Sequence, residues 1–138
     1  MTLYLLDTDI SSYIIRRHPP ELLTVLEAKA VAGDQIVVSV ITYAELAQGL
    51  AASPNRSKHE PAVRCFLQRL HAVLDWDKAA ADHWAEIHTH LKRSGTPIGN
   101  NDPLIAAHAR SLGAILVTNN DRHFSRVPGL RMENWATG

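Results

Sequence analysis

The sequence predicts one α/β domain over residues 1–138, in three layers, α/β/α, with a central, mostly parallel sheet of four or five strands. Three observations carry this. Short apolar runs alternate along the chain with longer stretches of helical periodicity. The runs lack strict polar/apolar alternation, as expected when helices cover both faces of a parallel sheet. The chain is 138 residues long and 46% hydrophobic, which suits one domain with a real core.

The elements follow in order. Leu3–Leu6 is a buried strand that Asp7-Thr8-Asp9 turns into a loop or a helix start. Pro19-Pro20 breaks the chain before a helix over about Glu21–Ala32, whose Leu22, Leu23, Val25, Leu26 and Ala30 form a stripe. Gly33-Asp34 ends it. Ile36–Val38 is a second buried strand, and Ser39 is placed to cap a helix over Val40–Ala52. Ser53-Pro54-Asn55 stops that helix. Another runs over about Lys58–Leu70, with Val63, Phe66, Leu67 and Leu70 on one side. Ala72–Leu74 is a short strand. Asp75 or Asp77 caps a long helix over Lys78–Arg93, which Ser94-Gly95 closes. Thr96–Asn101 is a loop, Pro103–Leu112 a helix closed by Gly113, and Ala114–Val117 a strand. Thr118–Asp121 is a polar turn, and the tail adds a strand near Leu130–Glu133.

Composition narrows the function. The 14 Lys+Arg balance the 14 Asp+Glu, so the chain is neither a disordered polyelectrolyte nor a basic nucleic-acid coat. The balance is uneven. Residues 1–55 hold six acids against three bases, and residues 56–138 hold eight acids against eleven bases. An acidic spot in a partly basic surface suits a cation beside a polyanion. The single cysteine, Cys65, excludes an intrachain disulfide framework and a multi-cysteine zinc site. Beside Phe66 it reads as a small buried hydrophobe. No apolar run reaches the ~18 residues of a membrane span and no signal peptide is evident. A cytoplasmic protein without membrane contact is expected. His83, His88 and His90 share a helix, but their spacings do not place them on one metal-binding face. His108 sits in an apolar helix and reads as packing, and the tryptophans and tyrosines read as core or dimer contacts.

Four acids stand where a parallel sheet puts its site, beyond the carboxyl ends of strands. Asp7 follows the first strand; it caps the next helix unless Asp9 does. Glu45 is the only ionisable group of its helix apart from Tyr43, and shares a small polar face with Thr42 and Gly49. Asp102 before Pro103 has the pattern of an N-cap. Asp121 ends Thr118-Asn119-Asn120-Asp121, which is good turn chemistry. Two carboxylates at about 4 Å repel by about 4 kcal/mol at an effective dielectric of 20. Several together call for a cation or a proton. An oxygen-only ligand set favours Mg²⁺, with Mn²⁺ as the alternative. Such ions clamp phosphoryl oxygens and acidify an attacking water. The residues thus imply metal-assisted hydrolysis of a phosphate ester.

Five stretches carry a resemblance: Leu5-Leu6-Asp7-Thr8-Asp9; Ser39-Val40-Ile41-Thr42-Tyr43-Ala44-Glu45-Leu46; Pro97–Ala109 around Asn101-Asp102-Pro103; Leu116-Val117-Thr118-Asn119-Asn120; and Val127-Pro128-Gly129-Leu130-Arg131 with Glu133-Asn134-Trp135. Together, over about residues 3–135, they resemble the PIN-domain ribonucleases and within them the VapC toxins of toxin–antitoxin pairs. The resemblance implies a metal-dependent endoribonuclease that cuts a structured RNA at one site. It implies Asp7 and Asp102 as direct metal ligands, with Glu45 a ligand or base reached partly through water. The family's fourth acid falls here on Asn120, so its role passes to Asp121 or becomes a hydrogen bond from Asn120. Asp9 stands where the family usually has Asn. Thr8 and Thr118 would position phosphate or water. A small VapB-like antitoxin whose C-terminal segment enters the groove, and a homodimer, are the implied partners. Two other readings stand beside this one. Asp7-Thr8-Asp9 also resembles the DxD signature of haloacid-dehalogenase-type phosphatases, in which the first Asp is a nucleophile. A weakly active or inactive domain that mainly binds partners or nucleic acid is the other.

Overall fold

A computed structural model of the chain describes residues 1–99 and 101–136; Asn100, in the loop before Asp102, lies outside them. The strands are β1 (Leu3–Leu6), β2 (Gln35–Ser39), β3 (Ala72–Leu74), β4 (Ile115–Val117) and β5 (Arg131–Glu133). They form one sheet in the order β3-β2-β1-β4-β5, with every neighbouring pair parallel. The helices are α1 (Thr8–Arg16), α2 (Glu21–Val31), α3 (Val40–Ala52), α4 (Arg56–Arg69), α5 (Lys78–Arg93), α6 (Asp102–Leu112) and α7 (Asp121–Phe124).

Both faces of the sheet are covered, which explains the continuous apolar strands. Leu5 lies beside Val37 and Leu116. These three pack with Ile87 and Leu91 of α5 and with Ile105, Ala106 and Ala109 of α6. Tyr4, Leu6, Ile36 and Val38 turn the other way, onto Ile10 and Ile14 of α1, Leu22 and Leu26 of α2, and Phe66 of α4. Alternate residues of one strand therefore feed two separate cores. Among the described residues, no helix is long and apolar enough to cross a membrane.

Of the two continuations expected after β1, the helix start is the one found: α1 begins at Thr8, and Asp7 rather than Asp9 caps it. Other expectations need correction. Helix α4 starts at Arg56, two residues before the expected Lys58. The turn expected over Thr118–Asp121 ends in the short helix α7, which the apolar core reaches through buried Phe124. Cys65 is exposed. It borders the apolar stripe of α4, which points inward at Phe66. Tyr43 is 44% exposed and is not core.

The topology fixes where a site belongs. From β1 the chain steps outward to β2 and β3, then crosses back to β4 and β5 on the other side of β1. The strand order switches between β1 and β4, and a crevice opens beyond their carboxyl ends at such a point. Asp7 and Thr118 are the next residues after those two strands.

Candidate active site

Asp7 is held from three directions. Its backbone N–H donates to the Val117 carbonyl at 3.0 Å, tying it to β4. Its carboxylate accepts the Ile10 N–H at 2.8 Å as the N-cap of α1, with the Thr118 hydroxyl beside it. Capping therefore does not exclude a site role. Only 3% of the residue is exposed. Burial raises its pKa to about 7; Thr118 and the bond from Ile10 oppose the rise, and the charges of Asp9 and Asp102 add to it.

Glu45 projects from the second turn of α3. Ser39 caps this helix, accepting the Ile41 N–H at 3.1 Å. The Thr8 hydroxyl donates to Glu45 Oε1 at 2.7 Å. Having given its proton there, Thr8 accepts from the Thr42 hydroxyl at 3.0 Å. Thr42 is fully buried. The small polar face read from the sequence is this chain of hydroxyls, and it ties α3 to α1.

Asp102 does not cap α6. It is the first helical residue, Asn101 occupies the capping position without a side-chain bond, and Pro103 follows within the first turn. Among the described residues, the carboxylate has no backbone partner. Its pKa is raised, first by burial and then by the charges of Asp9 and Glu45, while His123 opposes the rise. Asp9 itself is exposed at the start of α1.

The region after β4 divides. The Thr118 hydroxyl oxygen accepts the Asn120 N–H at 2.9 Å. The Asn120 amide donates to His123 Nδ1 at 2.8 Å, and His123 is the imidazole that acts on Asp102. Asp121 is exposed, opens α7 and lies 3.4 Å from Asn134 Nδ2. Asp102 thus lies within electrostatic reach of Asp7, Asp9 and Glu45, Thr8 joins Glu45 to Thr42, and Asp121 is exposed beside Asn134. Sequence reasoning missed His123. Its signal was its spacing of three from Asn120, one turn along a helix start.

The donor set fits a hydrated divalent cation better than a caged one. Among the described residues, no three Asp, Glu, His or Cys side chains are gathered closely enough to enclose a metal ion. Two sheltered carboxylates, Asp7 and Asp102, raised in pKa first by burial and then by their acidic neighbours, offer hard oxygen donors without a closed cage. Mg²⁺ is commonly held this way, by one or two carboxylates while keeping several waters.

The hydroxyl chain gives a direct prediction. Thr8→Val keeps the volume but removes the proton held by Glu45 and leaves the buried Thr42 hydroxyl without its acceptor. We expect a stability loss of about 1–3 kcal/mol in chemical denaturation, and a turnover loss of about 10- to 100-fold. Thr8→Ser should restore most of both.

Comparison with known proteins agrees with this architecture. The PIN domain family matches residues 4–130. The chain is 44% identical over 135 residues to Ribonuclease VapC2 of Haemophilus influenzae, across 98% of this chain and 99% of that one. It is 39% identical over 136 residues to the tRNA(fMet)-specific endonuclease VapC of Shigella flexneri, across 99% and 100% of the two chains. Its fold superimposes with a TM-score of 0.91, at 38% identity, on a chain of VapBC2 from Rickettsia felis bound to a DNA fragment from its promoter, covering 97% of this chain and 99% of that one. These matches leave no place for the phosphatase reading of Asp7-Thr8-Asp9. The chain belongs to the PIN-domain family, among the VapC ribonucleases.

Proposed function

We propose that this chain is a Mg²⁺-dependent endoribonuclease, with Mn²⁺ an acceptable substitute, that hydrolyses one phosphodiester in a structured RNA. The observation that carries the proposal is that Asp102 lies within electrostatic reach of both Asp7 and Glu45, with Asp7 buried at the β1/β4 switch point. A transfer RNA is the first substrate to test, since the Shigella flexneri relative is named for one.

Asp7 and Asp102 are the direct cation ligands in this reading. A bound divalent ion supplies positive charge against the phosphoryl oxygens and acidifies an attacking water. The chain's own residues do the rest. Thr8 holds one oxygen of Glu45, and the other oxygen is left to accept the proton of the attacking water. Thr118 keeps the Asp7 carboxylate oriented. Asn120 takes the fourth position as a hydrogen-bonding group, because it lies 2.8 Å from His123, whose charge acts on Asp102. Asp121, at the rim, faces incoming RNA rather than the cation. Arg122 and Arg126 flank this rim and suit phosphate contacts, which position a nucleic acid without reading its sequence.

A small VapB-like antitoxin is the proposed partner. Solved relatives at 38% and 36% identity are named as VapBC assemblies bound to DNA. A homodimer of this chain completes the proposal.

Mapping new RNA 5′ ends tests the function. Purified protein is incubated with total cellular RNA in Mg²⁺ and, separately, in chelator. Discrete ends that need the cation are expected, at one site in one structured RNA. A folded protein that binds Mg²⁺ and its partner yet produces no new ends would instead be a binding module.

A further inference from the structure

His108 lies outside the acidic cluster, and nothing in the proposed chemistry uses it. It sits on α6, six residues after Asp102, and is 1% exposed. Its Nδ1 lies 2.8 Å from Ser39 Oγ, 69 residues away in sequence. The backbone of Asp75, in the loop between β3 and α5, is close to the ring. Ser39 Oγ already accepts the Ile41 N–H at the start of α3, so its own proton is the one left to give. With the Ser39 hydroxyl donating, Nδ1 accepts and the single N–H of a neutral imidazole sits on Nε2. The bonds then run in one direction, from Ile41 N–H through Ser39 to His108. Burial keeps the imidazole below its ordinary pKa, partly offset by Asp77 and the Asp75 backbone, which suits the neutral state.

The two ends of this chain carry the site. Ser39 is the hinge from which α3 starts, and α3 delivers Thr42 and Glu45. His108 is rigidly joined along α6 to Asp102. Among the described residues, Ser39–His108 is the side-chain hydrogen bond that joins the start of α3 to α6. We propose that His108 is a positioning residue whose bond to Ser39 sets the separation of Glu45 from Asp102, and with it the opening that receives the cation and the scissile phosphate. The proposal rests on the nuclease reading above.

The test compares three proteins on the mapped RNA, measuring kcat, KM and Tm for each. His108→Leu fills the space without an acceptor. His108→Asn places Oδ1 where Nδ1 was, and keeps the bond to Ser39 while leaving a gap beside Asp75. We expect the Leu variant to lose about 10- to 100-fold in kcat with KM within about twofold, and the Asn variant to recover most of that loss despite a lower Tm. Should the Leu variant not fold, Ser39→Gly serves, since glycine still tolerates the capping position at a cost of a few tenths of a kcal/mol. It should show the same kcat loss. A kcat that follows Tm, with Leu as active as the parent or Asn no better than Leu, overturns the proposal. A parent that does not cleave overturns the nuclease reading instead, so the two failures are distinguishable.

Discussion

Asp7→Asn is expected to abolish cleavage while making the metal-free protein more stable at pH 8. Both effects follow from one carboxylate. Asn caps a helix as well as Asp, so the bond from Ile10 and the start of α1 survive. What disappears is a charge sealed beneath the β1/β4 crevice. Cation-assisted stabilisation of the transition state is worth several kcal/mol, and each 1.36 kcal/mol is tenfold in rate. The rate should therefore fall by about 10³-fold or more. The same substitution removes a carboxylate that burial has pushed up to about pKa 7. Melting curves in chelator at pH 8 should place the variant several degrees above the parent. Adding Mg²⁺ should raise the parent's Tm and leave the variant's unchanged. A variant that melts lower than the parent in chelator would mean that Asp7 is mainly structural.

The second large effect is on pH. Asp7 goes from an ordinary carboxyl, near 3.8, to about 7 on folding. Between those values the folded protein holds a proton that the unfolded chain has lost. Stability of the metal-free protein therefore falls as pH rises through this window, by at most about 4 kcal/mol from Asp7. Asp102 is raised as well and acts in the same direction. His108 opposes them. Its folded pKa lies below the ordinary 6.5, so its contribution is lost as pH falls below that value. The difference between parent and Asp7→Asn isolates the Asp7 part, and that difference should open between about pH 4 and pH 7 and stay constant above. Cation binding has the opposite slope. A cation on Asp7 displaces its proton, so apparent Mg²⁺ affinity should weaken about tenfold per pH unit below pH 7 and level off above it. Calorimetric titrations at pH 6 and pH 8 in matched ionic strength measure this. Equal affinities would remove Asp7 from the ligand set.

Much of this molecule was legible in its sequence, for definite reasons. Buried strands such as Leu3–Leu6 and Ala114–Val117 are short apolar runs with sharp polar ends. Ser39 and Asp77 cap helices because their oxygens accept free N–H groups, by Ile41 and Ala80 respectively. Asp7 and Glu45 were conspicuous as acids in otherwise apolar surroundings. What was hidden depends on three-dimensional register. Asp102 followed by proline has the pattern of a cap, and only the backbone shows Asn101 in that place. Cys65 and Phe66 are neighbours in sequence, but a 100° step around α4 separates exposed from buried. Asp121 and Asn120 were equivalent candidates until the turn into α7 sent one toward Asn134 and the other toward His123. The Ser39–His108 bond spans 69 residues and has no local signal at all.

The proposed nuclease needs both its acidic crevice and a divalent cation. Its most direct test is the rate of strand scission at the mapped phosphodiester, measured side by side for the parent and Asp7→Asn, each in Mg²⁺ and in chelator. Cleavage is expected for the parent in Mg²⁺ alone, with the other three reactions slower by about 10³-fold or more. Full-rate cleavage by the parent in chelator, or by Asp7→Asn in Mg²⁺, would contradict it.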